Sequence, residues 1–401
     1  MPTTAALTVV GAGIHGIHIL LRVVESGLFP PERCAIVDPH ERAFAQWQRR
    51  AVNCHMGFLR SPASHGIDPD FRSLRRQAPG DSPFFFTPPY HRPSVELFAR
   101  HITERSRDVL SGLAWHVGTV RAVERRGEDY ELQVNSPAGV SRLDTSVVIL
   151  APGQPPPAIP PIFAGHMRAG LVEHIHSSTF HPDSIPSGAR VALVGGGIAA
   201  AHLAAWLYPR GITVHLWNRD RPTSWQFDSD PCFIGPRCGD FFGSLRTAGL
   251  RRRVITRSRR PGSLPPDLYD SLRRAIRFGN VDLRREEVRA VWAAGERHVI
   301  QGSKGSVAEY DRIVLATGFS PGPPMAEVIS PLAAHAPVAD DGYPIPAGDL
   351  SWLPKLYLTG ALAELEIGPP ARNIAGAHLA GRRIVPALKA LKSRSSPRRH
   401  R

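Results

Sequence analysis

Cysteine is scarce in this chain of 401 residues. Cys34, Cys54, Cys232 and Cys238 are the four present, too few and too scattered for a disulfide scaffold. A reducing, cytoplasmic setting fits that usage. No apolar run is long enough to span a bilayer, which excludes a membrane helix. Met1-Pro2-Thr3-Thr4 leads straight into an apolar strand, leaving no room for a secretory leader. Aromatic residues are missing from the two basic stretches, Arg246 to Arg260 and Lys392 to Arg401. Without aromatics for bases to stack on, the net charge of +14 argues against a nucleic-acid partner. It fits a solvated basic surface that attracts anionic ligands. What remains is a globular chain, 42% hydrophobic, long enough for two or three domains.

Two glycine-rich turns stand out. Ala6-Leu7-Thr8-Val9-Val10 runs into Gly11-Ala12-Gly13-Ile14-His15-Gly16. Gly11 permits the tight turn, Gly13 lets backbone approach a pyrophosphate, and Gly16 lets the following helix pack on the strand. That helix, Ile14 to Glu25, offers its free N–H groups to phosphates. The next strand, Cys34 to Val37, ends at Asp38, placed to bind ribose hydroxyls.

The second turn is Gly195-Gly196-Gly197-Ile198-Ala199-Ala200, directly after Val191-Ala192-Leu193-Val194. An alanine-rich helix follows, then the strand Thr213 to Trp217. Asn218-Arg219-Asp220-Arg221 stands where a ribose-binding acid is usual. Arg219 and Arg221 suit a 2′-phosphate, which favours NADPH over NADH. Two βαβ units with two such turns predict two bound dinucleotides, the layout of a flavoprotein reduced by a nicotinamide cofactor.

Val147-Val148-Ile149-Leu150-Ala151-Pro152-Gly153 and Ile313-Val314-Leu315-Ala316-Thr317-Gly318 read as buried strands ending in small-residue turns. They mark crossings between domains. The expected fold is therefore α/β, with two Rossmann-like dinucleotide-binding domains. An NADPH domain over 186–325 is inserted into an FAD domain split into 1–165 and 326–390, and 391–401 form a basic disordered tail. Leu356-Tyr357-Leu358-Thr359-Gly360 and the helix Asn373 to Leu388 are placed to cover the flavin ring. Ser94 reads as the N-cap of a helix through Phe98 and His101.

The segment Asp311 to Pro324, DRIVLATGFSPGPP, carries a resemblance. Asp311, Leu315, Ala316-Thr317-Gly318, Phe319 and Pro324 are similar to a pattern of the flavin-dependent monooxygenases. The chain most resembles their N-hydroxylating branch, which oxidises lysine or ornithine side-chain amines. His176-Ser177-Ser178-Thr179-Phe180 partly matches the family's segment linking the two domains. Met56-Gly57-Phe58-Leu59-Arg60, followed by Asp68-Pro69, resembles its flavin-proximal segment, with Gly57 in place of a glutamine. The resemblance puts Arg60 where the family has a lysine that grips the substrate carboxylate. The loop Gln226 to Asp240 lacks the family's Asn-Glu pair, and Ala361 replaces an acid that follows the last Thr-Gly in related flavoproteins.

The resemblance implies FAD and NADPH as cofactors, O2 and a small-molecule amine as substrates, and N-hydroxylation through a peroxyflavin. It also implies cofactor contacts from Thr317, Gly318 and Gly360 and, as in related enzymes, a homo-oligomer. No side-chain base is strictly required, so the catalytic residues stay unassigned. Asn53, His55 and His176 are the polar candidates nearest the expected flavin, each equally readable as structural. The rival is an FAD-dependent oxidoreductase without oxygen transfer: an oxidase, or a quinone or peroxide reductase. Cys54 would be its thiol, because Cys232 and Cys238 lie in the inserted domain. A further rival is a cofactor-holding binding module with no redox activity.

Overall fold

The computed structural model describes residues 3–80 and 82–395. The strand Thr3–Val10 lies at the centre of the first sheet, between Cys34–Asp38 and Gly139–Leu150, all parallel. Ala114–Val117 extends one side, and Leu356–Leu358 then Ser351–Leu353 the other. Leu7, Val9, Ile36, Val148 and Ile149 are wholly buried. Such continuous apolar strands need helices on both faces, which is why they are parallel. An antiparallel pair, Thr119–Arg126 and Asp129–Ser136, hangs from Gly139–Leu150.

The helix Ile14–Glu25 follows the central strand and packs on the long helix Ile374–Ser395. Their approach is close at Gly381, where a Cβ would lie 2.7 Å from the Arg22 side chain. Ser94 caps the helix Val95–Ser111, its hydroxyl accepting from the Leu97 N–H.

The second sheet has five parallel strands, in the order Val281–Arg284, Thr213–Trp217, Arg190–Val194, Arg312–Leu315, Val172–His174. Helices Ile198–Leu207 and Pro266–Arg277 take part in one core beside it. Strands Val288–Ala294, Arg297–Gly302 and Val307–Tyr310 contribute to another. There the buried Tyr310 hydroxyl meets both Trp217 Nε1 and His215 Nδ1, so these buried polar atoms are mutually satisfied. Asp311 accepts from the Arg190 N–H at 2.8 Å and pins the sheet's leading edge.

The boundary expected at residue 165 moves. Phe163 and Val172 belong to the core of the second sheet with Trp217 and Tyr310. The strand Val172–His174 is needed to flank Arg312–Leu315, and three residues carry no readable periodicity. Val328, Ile329 and Leu332 return the chain to the first core. The expected disordered tail also changes: the last helix runs to Ser395, and Lys392 donates to the Leu28 carbonyl and lies over Phe29. Residues 396–401 of that tail lie outside the described residues.

The two crossings are stitched to each other. The Ala158 N–H donates to the Gly318 carbonyl, Ser320 N–H to Pro156, and the Thr317 hydroxyl to Ala158. Residues 231–258 leave the second sheet and pack Phe233, Phe242 and Ile255 on Tyr343 and Leu365 of the first domain. This excursion holds a Cys232–Cys238 disulfide, with Cα atoms 5.5 Å apart. The cysteines are too few for a disulfide scaffold, yet a six-residue separation closed by a turn brings these two together. No helix among the described residues is long and apolar enough to cross a membrane.

Candidate functional site

The two glycine turns are built alike. Gly11 N–H donates to Val37 and Gly195 N–H to Trp217, both at 2.8 Å, which ties each turn to the next strand. Gly11 has φ +104° and Gly195 φ +117°. A Cβ on Gly11 would lie 2.2 Å from the Ala151 carbonyl oxygen, and one on Gly195 would lie 2.4 Å from that of Ala316. Only glycine fits both the backbone and the contact. The partners are the first residues of Ala151-Pro152-Gly153 and Ala316-Thr317-Gly318, so each crossing turn buttresses one glycine turn.

Gly13 and Gly197 are different. Each is the N-cap of its helix in extended backbone, with no side-chain cap. A Cβ on Gly13 meets nothing, and one on Gly197 meets only the Gly262 Cα, at 3.8 Å. The free N–H groups of each helix thus open onto space that an anion can enter. The residues therefore fit two dinucleotides. Asp38, the residue expected to face a ribose, has partners of its own. It accepts from the Ala12 N–H at 2.7 Å and from His40, holding the first turn in place. Gly16 packs the helix onto the turn, since a Cβ there would lie 2.0 Å from the Gly11 oxygen. The second unit has Ala200 at that position, fully buried.

Arg219 and Arg221 are exposed beyond the strand Thr213–Trp217. Arg221 and Arg285 both line a cavity of ≈ 660 Å³ against the helix Pro266–Arg277. A second cavity, of ≈ 270 Å³, opens at the start of the first helix. Ile14 and His15 form one wall, Met56, Leu59 and His65 another, and Asn373 to Ala375 a third. Phe227 and Asp228, just before the excursion, and Ile234 within it close the cavity. The His15 ring bonds the Thr359 hydroxyl at 2.9 Å, and Gly360 turns at φ +66° against it. Burial pushes His15 and His65 down to about 4, so both are neutral at pH 7. His15 was readable only as a spacer in the glycine turn; its place in the wall comes from the fold.

Arg60, expected to grip a substrate carboxylate, lines the same cavity, and its guanidinium is bonded across to the second domain. Its Nε donates to the Gln226 carbonyl at 2.8 Å. Its Nη2 donates to the Trp225 carbonyl and the Ser263 hydroxyl, each at 2.8 Å, and Nη1 to the Ser263 carbonyl at 3.2 Å. The planar fork bolts this wall of the cavity to the second domain.

Asn53, His55 and His176 gather at the seam between the domains and do not line this cavity. Asn53 Nδ2 donates to the Ile175 and Ser177 carbonyls. His55 stacks on Trp206 at 3.9 Å, and His176 on Phe319 at 5.2 Å. Cys54 donates its thiol to the Arg50 carbonyl and packs in the second core. Burial pushes its thiol up to about 12, and that of Cys34 likewise, which leaves both as thiols at neutral pH. Native protein should therefore resist alkylation at Cys54. Mass mapping after iodoacetamide treatment checks this; rapid modification would contradict it.

No protein-family model matches this chain, and no curated protein matches it. Solved structures do. Ornithine hydroxylase PvdA of Pseudomonas aeruginosa superposes with TM-score 0.73 at 16% identity, over 97% of this chain and 99% of its own. Ornithine N-hydroxylase KtzI of Kutzneria sp. 744, in a structure with reduced FAD, NADP+ and L-ornithine, gives 0.75 at 15% identity, over 97% and 100%. The bacillithiol disulfide reductase Bdr of Bacillus cereus gives 0.64 at 13% identity, over 97% and 100%. At these identities the likeness shows a shared fold: a two-domain α/β architecture with two Rossmann-like units.

Proposed function

We propose that this protein is an FAD- and NADPH-dependent monooxygenase that N-hydroxylates a small amine. The observation that carries the reading is the matched pair of glycine turns, one of them opening beside the cavity at His15. The fold shared with PvdA and KtzI supports it.

When bound, the two dinucleotides supply hydride transfer and oxygen activation. The N–H groups at Gly13 would hold the flavin pyrophosphate, with Asp38 toward its ribose. Those at Gly197 would hold the nicotinamide dinucleotide, with Arg219 and Arg221 toward a 2′-phosphate. Thr317, Gly318 and Gly360 shape the backbone at the ends of the crossing strands and the closing turn. The apolar walls of Ile14, Met56, Leu59, Phe227 and Ile374 would limit water around a bound substrate. A dry site lowers an amine's pKa and favours the neutral form that can react. Neutral His15 and His65 add no positive charge that would repel a cationic amine on entry.

A second reading has one observation behind it. Pro231, next to Cys232, and Ile234 line the cavity, so the Cys232–Cys238 disulfide belongs to a segment that forms part of its wall. That favours an oxidoreductase that passes electrons onward without oxygen transfer. One experiment separates the two. The FAD-loaded protein is given NADPH, air and a panel of primary amines, and products are read by mass spectrometry. An amine that speeds NADPH oxidation and gains one oxygen atom is the expected result. Hydrogen peroxide equal to NADPH consumed, whatever the amine, would overturn it.

A further inference from the structure

Arg50 is a half-buried cation without a counter-charge. It lies on the helix Ala45–Asn53 of the first domain, its guanidinium carbon 4.8 Å from the centre of the Phe319 ring. His176 stacks on the same ring, and His174 lies 5.4 Å from His176. Among the described residues no carboxylate pairs with Arg50. The charge beside it is another cation, Arg49, and burial together with Arg49 pulls it down to about 10, still ionised at neutral pH. Burial and the Arg50 charge hold His176 down at about 3, and burial holds His174 at about 4. Two buried nitrogens in this cluster have no hydrogen-bond partner, Arg50 Nε and His176 Nδ1, while the His174 ring faces the Gly318 backbone. An ionised group withdrawn from water without a partner is costly, and the orphaned nitrogens of Arg50 and His176 beside the Phe319 ring compound the cost.

The cluster is not a loose surface feature. Asn53, one turn after Arg50, is bonded to the carbonyls of Ile175 and Ser177, which fixes the helix against the His174–His176 segment. Phe319 is held by the stitched crossing at Pro157. Its place in the sheet points to a ligand. Phe319 follows the carboxyl end of Arg312–Leu315, and His176 that of Val172–His174. The neighbouring strand Arg190–Val194 ends in the second glycine turn. From Arg190–Val194 the chain passes to Thr213–Trp217 on one side, while Arg312–Leu315 pairs on the other. Ligands of open α/β sheets bind at the carboxyl ends of the strands where the order reverses in this way.

We infer that Arg50, with His174 and His176, forms a phosphate-binding subsite at the domain seam, filled by the pyrophosphate of the nicotinamide dinucleotide. This rests on the proposed function for the identity of the dinucleotide, but not for the anion. The guanidinium supplies charge and a planar donor fork, and the neutral imidazoles supply N–H donors without adding competing charge. The same helix starts beside the first glycine turn, where Phe44 N–H donates to the Ala12 carbonyl. The flavin's own pyrophosphate is therefore the other source of the same chemistry.

The test is calorimetric titration of the full chain, supplied with FAD, with inorganic pyrophosphate and separately with NADP+. Arg50→Gln should weaken both by about tenfold or more, a loss of one charge-assisted contact, with flavin content unchanged. Unchanged affinity for both would overturn the subsite. Lost flavin with unchanged NADP+ affinity would assign the anion to the flavin and overturn the nicotinamide assignment. If the wild type binds neither dinucleotide, the functional reading fails, and the pyrophosphate comparison alone still decides the subsite. Should Arg50→Gln not fold, Arg50→Lys carries the same comparison. A point charge without the fork should bind pyrophosphate severalfold more weakly, and equal affinity would overturn the proposal.

Discussion

Gly13→Ala is expected to fold as stably as the wild type and to lose its flavin. The added Cβ meets no protein atom within 4 Å, and the backbone there is extended, at φ −80° and ψ −173°, which alanine adopts freely. Nothing in the folded chain opposes the substitution. The open space is the approach to the N-terminus of the helix Ile14–Glu25, so the methyl group meets the ligand alone. Flavin affinity should fall by roughly tenfold to a hundredfold, about 1.4 to 2.7 kcal/mol. Gly11→Ala should behave in the opposite order. Its Cβ would stand 2.2 Å from the Ala151 carbonyl, at a φ of +104° that alanine resists. That clash falls between the central strand and its neighbour, and it should lower the melting temperature before any ligand is considered. Thermal melts with flavin absorbance of the purified proteins read both. A Gly13→Ala protein that keeps its flavin at wild-type affinity would remove the pyrophosphate from the first turn.

The contrast between Gly11 and Gly13 was legible in the sequence, because the turn's spacing assigns one glycine to backbone and the other to ligand. Both βαβ units were legible for the same reason: local spacing of glycines, apolar strands and a following helix. Asp38 was found at its strand end, but its bonds to Ala12 and His40 depend on the fold. What escaped was long-range. The carbonyls that take up the Arg60 guanidinium are 165 to 203 residues away in the chain. No pattern around Met56 to Pro62 could announce them. The edge strand Val172–His174 escaped because it is too short for periodicity to register. The disulfide is a separate case: its two cysteines are close in sequence, and composition alone hid it.

Glu364 shows the same limit, and it carries the largest expected loss of stability. Its side chain is fully buried and holds three guanidiniums. Arg259 is at 2.8 Å and Arg372 at 2.7 Å, with Arg252 also bonded to it. Arg252 belongs to the inserted excursion and Arg259 directly follows it, while Glu364 and Arg372 belong to the first domain, so one carboxylate fastens the excursion beside the cavity. Burial alone would raise the Glu364 pKa, but Arg259, Arg372 and Arg252 together hold it below the usual carboxylate value. Glu364→Gln leaves three cations facing a neutral amide, and breaking a buried pair of this kind costs about 3 to 5 kcal/mol. Arg252 keeps Asp341 and Arg372 keeps the Tyr343 hydroxyl, which favours the lower end of that range. The sign with pH follows from the lowered pKa. The native state binds the proton less readily than the unfolded chain, so the contribution is complete above the ordinary glutamate value and is lost as pH falls through the native one. Urea melts of wild type and Glu364→Gln should therefore differ most near neutrality and converge as the solution becomes strongly acid. A difference that stays constant down to strongly acid pH would mean that packing, rather than the ionised carboxylate, secures the excursion.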